Sequence, residues 1–465
     1  MSEKLKASRY NHFVPQESGK VLAFNALSCG LGEMDAVNYR LYQRLATGET
    51  NGDSADSAKL LEDLKKGGFL IPEDLDELDA IRAAHYQARF GNNGFGLTII
   101  PTVNCNFACD YCYESREIHS LPKEKGAFMS DEVCDNIVKL CEKRIPEKSA
   151  FSVTWYGGEP LLATAVIDRL TKEFVRICDS KQSKYHAGII TNGYLLSKEN
   201  LDFLIKSYVT FAQVTVDGPE EVHDRRRCLK SGGPTYRRIM ENLANIEEGS
   251  PFRVSIRVNI DKRNSDAIQP LLEDLKVRGF HQHKNISVYF SQVVHYTNSC
   301  PDIASQCMVT QEFSEFMVEA YEKALEAGFM VKTLIPMRML GSCGAVTAGG
   351  AVVEPCGAIK NCWNAVGSQA LRTGLLTAQG INHTIIDLKW LGWTPFNEKC
   401  DNCNVLPICM GGCPYMTLYA RTGDENKTQV CAWWKFNLGS VLKVIKKATE
   451  LEKVHICKST MSERR

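Results

Sequence analysis

The chain has 465 residues, 44% hydrophobic and 24% charged, ordinary for a soluble globular protein and too long for one core. Lys and Arg together number 55, as do Asp and Glu, so no net field points to nucleic acid or to a membrane surface. The start, Met1–Ala7, lacks the apolar stretch of an export signal, and no run approaches the roughly 20 apolar residues of a membrane span. The expected location is cytoplasmic, with neither nucleic acid nor membrane as partner. In such a compartment 19 cysteines read as reduced thiols, and clustered ones as metal ligands, not disulfides.

In chain order, Val21–Asn25 reads as a strand, Ala36–Ala46 and Ala58–Lys66 as helices, and Gly67–Pro72 as a helix stop followed by a strand. Leu75–Phe90 is a charged helix that would link this first module, residues 1–92, to a second region. From 93 to 330, β-rich runs alternate with helical periodicity. The strands are Leu97–Ile100, Phe151–Tyr156, His186–Thr191, Phe211–Val216, Arg253–Ile260 and Ile286–Ser291. Ser130–Arg144 is an amphipathic helix with Ser130 as N-cap, and others begin near Leu162, Ser197, Thr235, Ser265 and Thr310. This α/β pattern fits a parallel barrel or a doubly wound sheet, and in either one functional groups gather at the C-terminal strand ends. Residues 331–445 form a cysteine-rich domain, and 446–465 a tail that ends in polar residues.

Cys105, Cys109 and Cys112 follow the first barrel strand with Cys-x3-Cys-x2-Cys spacing. A [4Fe–4S] cluster held by three thiolates keeps one iron open, whereas a zinc site wants a fourth N or S ligand that neither flank supplies. Gly157-Gly158-Glu159-Pro160 follows the second strand. Alone it reads as a turn; beside a cluster loop, its glycines allow close backbone approach and Glu159 can accept a hydrogen bond from a ligand ammonium. Thr191-Asn192-Gly193 ends the third strand, and Thr215-Val-Asp217-Gly-Pro219 ends the fourth and runs into His223–Arg227. Arg225–Arg227 also reads as a solvated loop anchored by Asp224. Arg257 alternates with Ile256 and Val258; if it points inward it needs an anionic partner, a cofactor being one candidate. Cys134, Cys141 and Cys178 fall in helices as small hydrophobes. Cys29, Cys228 and Cys457 carry no motif. Trp363, Trp390, Trp393, Trp433 and Trp434 lie among the later cysteines, suited to shield metal clusters from water.

The spacing of Cys105, Cys109 and Cys112, with Tyr111 before the last, resembles the radical SAM superfamily, and Gly157–Glu159 resembles that family's GGE motif. The resemblance implies a partial (βα)6 TIM-type barrel, S-adenosyl-L-methionine as cofactor, and a 5′-deoxyadenosyl radical that abstracts hydrogen from substrate. By the same resemblance Thr215 and Arg227, with Asn192 as a weaker match, meet the cofactor. Cys343-x13-Gly357-x4-Cys362, then Cys400-x2-Cys403-x5-Cys409-x3-Cys413 and Cys431, matches the seven-cysteine SPASM pattern. That pattern implies two auxiliary [4Fe–4S] clusters, three clusters in all. Cys400, Cys403, Cys409 and Cys431 would hold one, and Cys343, Cys362 and Cys413 the other. Sulfatase-maturing relatives place an eighth cysteine where this chain has Met337. Either Cys356, Cys300 or Cys307 fills the site, or one iron is open to a substrate thiolate. The N-terminal order resembles a winged-helix module that holds a leader peptide, the bland alternative being a cap on the barrel. The whole resembles ranthipeptide and sactipeptide maturases, which form thioether crosslinks in a ribosomally made precursor peptide and take electrons from a donor such as flavodoxin or ferredoxin. Carbon–carbon crosslinking, oxidation of a sulfatase Cys or Ser to formylglycine, and a non-enzymatic electron-transfer protein are the alternatives.

Overall fold

A computed structural model describes residues 4–49, 55–91, 94–114, 118, 126–297, 301–330, 335–419 and 430–451. The chain opens with strands β1 (Leu5–Ala7), β2 (Asn11–Pro15), β3 (Val21–Asn25) and β4 (Leu31–Met34). Helices α1 (Ala36–Ala46) and α2 (Ala55–Lys66), strand β5 (Leu70–Pro72) and helix α3 (Glu77–Phe90) come next. β2, β3 and β4 form an antiparallel sheet, and β1 pairs with β5. Sequence periodicity missed β1, β2 and β4, which are short and half-exposed. Asp35 caps α1 through the N–H of Asn38, and Asp76 caps α3 through the N–H groups of Leu78 and Asp79.

This module is not the separate unit its composition suggests. All five residues of β3 are buried because both faces are covered. Ala23 joins a small core with Met34, Tyr42, Leu45 and Phe69, whereas Leu22 and Phe24 enter the main core with Tyr10 and Ile81. Arg89 of α3 fixes the module to the C-terminal segment. It is 1% exposed and donates to the carbonyls of Val346 (2.8 Å), Trp393 (2.6 Å), Leu391 (3.1 Å) and Trp390 (3.4 Å). Arg89→Ala leaves these acceptors without their donor and is expected to cost about 3 kcal/mol, read as a lower urea midpoint. Arg89→Lys should restore only part, since one ammonium cannot span four carbonyls.

The central sheet contains β6 (Phe95–Thr102), β7 (Ala150–Gly157), β8 (Lys184–Thr191), β9 (Val209–Thr215), β10 (Arg253–Ile260) and β11 (Ile286–Gln292), all parallel and in sequential order. Helices α4 (Asp131–Arg144), α5 (Thr164–Ser180), α6 (Lys198–Lys206), α7 (Glu220–Arg226), α8 (Tyr236–Ala244), α9 (Ile268–Val277) and α10 (Thr310–Glu326) connect them or follow the last. Each strand expected from the sequence is present to within two or three residues. On β10, Val254, Ile256, Val258 and Ile260 are fully buried, while Arg257 on the other face is half-buried. β6 and β11 do not pair, so the barrel is partial. The sequence gives no sign of α7, which follows Pro219 and occupies the stretch read as a solvated loop.

The cysteine-rich segment extends this sheet instead of standing apart. β12 (Gly350–Val353) pairs parallel with β6, and β13 (Ala358–Lys360), β14 (Gly374–Thr377) and β15 (Gly380–His383) continue antiparallel. Short helices α11 (Ile385–Leu391), α12 (Glu398–Asp401), α13 (Leu406–Cys409) and α14 (Pro414–Tyr419) carry or flank the later cysteines. Helix α15 (Trp434–Glu450), kinked at Asn437, packs on α10 and on β2 and β3, so a domain boundary at 445 falls inside its second segment. Residues 452–465, including Cys457, lie outside the described residues.

Candidate active site

Cys105, Cys109 and Cys112 lie on the loop after β6, at the C-terminal edge of the sheet. The loop is seated from both sides. On one, Ala108 N–H donates to Cys228 C=O (2.9 Å), Asp110 N–H to Arg226 C=O (3.2 Å) and Lys230 N–H to Asn106 C=O (2.9 Å). On the other lie the glycines that end β7. A Cβ on Gly157 would meet Thr102 C=O at 2.4 Å, and Gly157 has φ +125°. A Cβ on Gly158 would meet the carbonyl oxygens of Asn104 and Val103 at 2.3 and 2.4 Å. The glycines are therefore required by the close passage of the cysteine loop itself. Glu159 N–H then donates to Asn104 C=O (2.8 Å).

The Glu159 side chain, expected from the sequence to accept from a ligand ammonium, is held by partners within the protein. It is fully buried and accepts from Leu161 N–H (3.0 Å), Thr191 Oγ1 (2.8 Å) and Asn192 N–H (2.8 Å), tying the end of β7 to the end of β8. Burial raises its pKa and these hydrogen bonds oppose the rise. Asn192, thus held, donates to Asn106 Oδ1 (2.7 Å) on the cysteine loop.

Tyr111 projects into a polar network that the sequence did not reveal. Its hydroxyl donates to Asp217, and accepts from Arg227 (2.5 Å) and Asn259 Nδ2 (3.0 Å). The Arg226 guanidinium lies 4.9 Å above the Tyr111 ring and pairs with Asp261 (2.9 Å), which also binds Arg263 (2.7 Å). Arg263 reaches back to Asp110 on the cysteine loop (2.6 Å). Arg226 and Arg227 are buried, which overturns the solvated-loop reading for both; only Arg225 is exposed. Asp224 caps α8 by accepting from the N–H groups of Thr235 and Tyr236 (2.8 Å each). Buried Arg227 Nε has no partner among the described residues. The useful signal for Asp217 and Asp261 was a carboxylate closing an apolar strand. Thr215 ends β9 and pairs in register with Arg257, whose guanidinium has neutral partners, Asn259 Oδ1 (2.7 Å) and Ser291 Oγ (2.8 Å).

Electrostatics groups the cysteines into three sets. Burial pushes Cys105 up to about 12, with Cys109 adding to the rise, and burial, Glu114 and Cys109 raise Cys112 well above the usual thiol range. Cys362 is raised by burial and further by Cys343 and Cys413. Cys400 and Cys409 are raised by burial, and each of them by Cys403 and Cys431. Among the described residues no three His, Cys, Asp or Glu side chains converge as ligands of one metal ion do. Apart from exposed Cys343 these thiols are half-buried, and thiols that repel one another as thiolates suit a soft, positively charged metal cluster, which holds them deprotonated. Of the candidates for a fourth ligand in the set of Cys343, Cys356 is exposed, as Cys343 itself is, and lies 3.9 Å from Glu354, whereas Cys307 is buried. Cys300 lies outside the described residues. Cys134, Cys141 and Cys178 are buried as expected. Trp390 and Trp393 are buried, while Trp363 is 41% exposed.

Residues 99–275 match the Radical SAM superfamily. The serine-type anaerobic sulfatase-maturating enzyme of Bacteroides thetaiotaomicron is 31% identical over 147 residues, 30% of this chain and 33% of that protein. The cysteine-type anaerobic sulfatase-maturating enzyme of Clostridium perfringens is 22% identical over 337 residues, 66% of this chain and 85% of that one. The sporulation killing factor maturation protein SkfB of Bacillus subtilis is 23% identical over 41% of this chain and 42% of its own. The match thus spans about a third of the first relative's length. In fold, the chain resembles native anSMEcpe with bound AdoMet, with TM-score 0.59, 19% identity, and coverage of 77% of this chain and 99% of that one. The match to the Radical SAM superfamily thus runs from β6 to α9 and takes in the loop that carries Cys105, Cys109 and Cys112.

Proposed function

We propose that this enzyme matures a ribosomally made peptide by joining a cysteine sulfur to a peptide carbon. The observation that carries the reading is the place of Tyr156. At the end of β7 its hydroxyl bonds that of Tyr113, next to Cys112, and its ring packs 5.7 Å from that of Trp363, next to Cys362, so one side chain lies between the first thiol set and that of Cys343. When bound, S-adenosyl-L-methionine and a reduced [4Fe–4S] cluster supply a 5′-deoxyadenosyl radical able to take hydrogen from carbon. Cys105, Cys109 and Cys112 hold that cluster, and Arg227 and Thr215 meet the cofactor. Cys343, Cys362 and Cys413 hold an auxiliary cluster with one iron open to the substrate thiolate, a soft ligand matched to iron. Cys400, Cys403, Cys409 and Cys431 hold the third. The N-terminal module receives the leader, and a flavodoxin or ferredoxin supplies electrons.

The relatives named as maturating enzymes support the peptide substrate, and the sulfatase-maturating ones favour formylglycine formation as a second reading. The test is anaerobic incubation with S-adenosylmethionine, dithionite and the short peptide encoded nearest the gene. Thioether formation yields 5′-deoxyadenosine and a peptide lighter by two hydrogens, with one cysteine no longer alkylated by iodoacetamide. Absence of 5′-deoxyadenosine would sink the enzyme reading, and an aldehyde that reacts with hydrazine would select formylglycine. Cys403→Ala is expected to remove roughly a third of the iron while cofactor cleavage continues, uncoupled from crosslinking; intact crosslinking would contradict an auxiliary role.

A further inference from the structure

The turn between Cys400 and Cys403 is held by the N-terminal module. Arg82 of α3 donates to Asp401 Oδ2 (2.9 Å) and to Asp79 Oδ1 (3.1 Å), with its guanidinium 5.5 Å from the Phe396 ring. Arg9 donates to Asp401 C=O (2.6 Å), and His12 Nε2 lies 3.1 Å from Asn404 C=O. Asp401 Oδ1 is buried and has no hydrogen-bond partner among the described residues, so Arg82 is the cation that balances this carboxylate. Three side chains from residues 9–82 therefore grip a turn of five residues that carries two thiols.

We propose that Arg82 is a positioning residue for the Cys400–Cys403 turn and sets the reduction potential of the cluster held there, making the N-terminal module part of that cluster's housing. The proposal rests on the reading that Cys400, Cys403, Cys409 and Cys431 bind a cluster. A reduced cluster carries one more negative charge than an oxidised one, so a nearby guanidinium favours the reduced form and a nearby carboxylate disfavours it. The two members of this ion pair therefore act with opposite signs.

The experiment is a redox titration of the full-length, anaerobically reconstituted protein followed by electron paramagnetic resonance, with iron counted per chain. Cys403→Ala identifies the signal of this cluster by its loss. In Arg82→Gln the reduced fraction of that cluster at a fixed solution potential should fall about two- to fivefold, the population change of one partly exposed ion pair. In Asp401→Asn it should rise, and Arg82→Lys, which keeps the charge, should stay near the parent. A merely structural contact would move Arg82→Gln and Asp401→Asn the same way, and that outcome overturns the proposal. So does an unchanged titration in Arg82→Gln with full iron. Full iron and all signals in Cys403→Ala would instead overturn the ligand assignment, and the proposal with it.

Discussion

Cys109→Ala is expected to lower 5′-deoxyadenosine formation by at least about 10³-fold, to background, while, with the three clusters proposed above, roughly two thirds of the iron stays bound. The cofactor carries the hard chemistry, so no neighbouring side chain replaces a lost cluster. The variant should nonetheless fold. The loop is fixed by backbone bonds from Ala108 and Asp110 to Cys228 and Arg226, and by the Asp110–Arg263 ion pair, none of which uses the Cys109 thiol. Removing a buried thiol whose ionisation is already opposed by desolvation costs little in the apoprotein. The measurement pairs iron content with chromatographic detection of 5′-deoxyadenosine. Residual cleavage above background would mean that Cys105 and Cys112 suffice.

The barrel was legible because its strands are buried on the outward face and its helices repeat at 3.6 residues. Val254, Ile256 and Val258 announce β10 without any partner in view. The elements missed were those whose identity is tertiary. Gly350–Val353 is too short and glycine-rich to read as a strand, and becomes one by pairing with Gly96–Ile99 at the open edge of β6. The first 90 residues read as separate because a polar, charged helix joins them to the barrel. Arg89 shows why that reading failed: its partners are all backbone carbonyls, which leave no trace in sequence.

The site divides along the same line. Cysteine spacing singled out the first thiol set, and resemblance to the SPASM pattern implied the other two. It could not show which polar residues close the network around Tyr111, because Asp110 comes from the cysteine loop, Asp217 from the loop after β9, Asn259 from β10, and Asp261 and Arg263 from the loop after β10. Glu159 was expected to meet a ligand from its chemistry, its place after the second strand and its resemblance to the GGE motif. A carboxylate beside a cofactor loop has two uses, and only its partners distinguish them. Here Leu161, Thr191 and Asn192 bond to it, and through Asn192 it is linked to Asn106 on the cysteine loop.

Gly158→Ala tests that seating directly and should rival the loss of a cluster ligand. The added methyl would stand 2.3 Å from Asn104 C=O, 2.4 Å from Val103 C=O and 2.5 Å from the Asn104 carbonyl carbon. All three are backbone atoms, so no rotamer change relieves the overlap, and the loop must retreat by about 1 Å to reach an ordinary contact. Overpacking of this kind costs about 1–3 kcal/mol, small against a chain of this size. Its effect on chemistry is larger, since a displacement of about 1 Å at a reacting centre costs on the order of 10²-fold in rate. The expected result is a folded protein with weakened retention of the first cluster and cofactor cleavage reduced about 10²-fold or more. Gly32→Ala is the matched control, because a Cβ there meets nothing within 4 Å. Parent-like cleavage in Gly158→Ala would show that the loop absorbs the methyl elsewhere, and that the glycine pair serves only the turn.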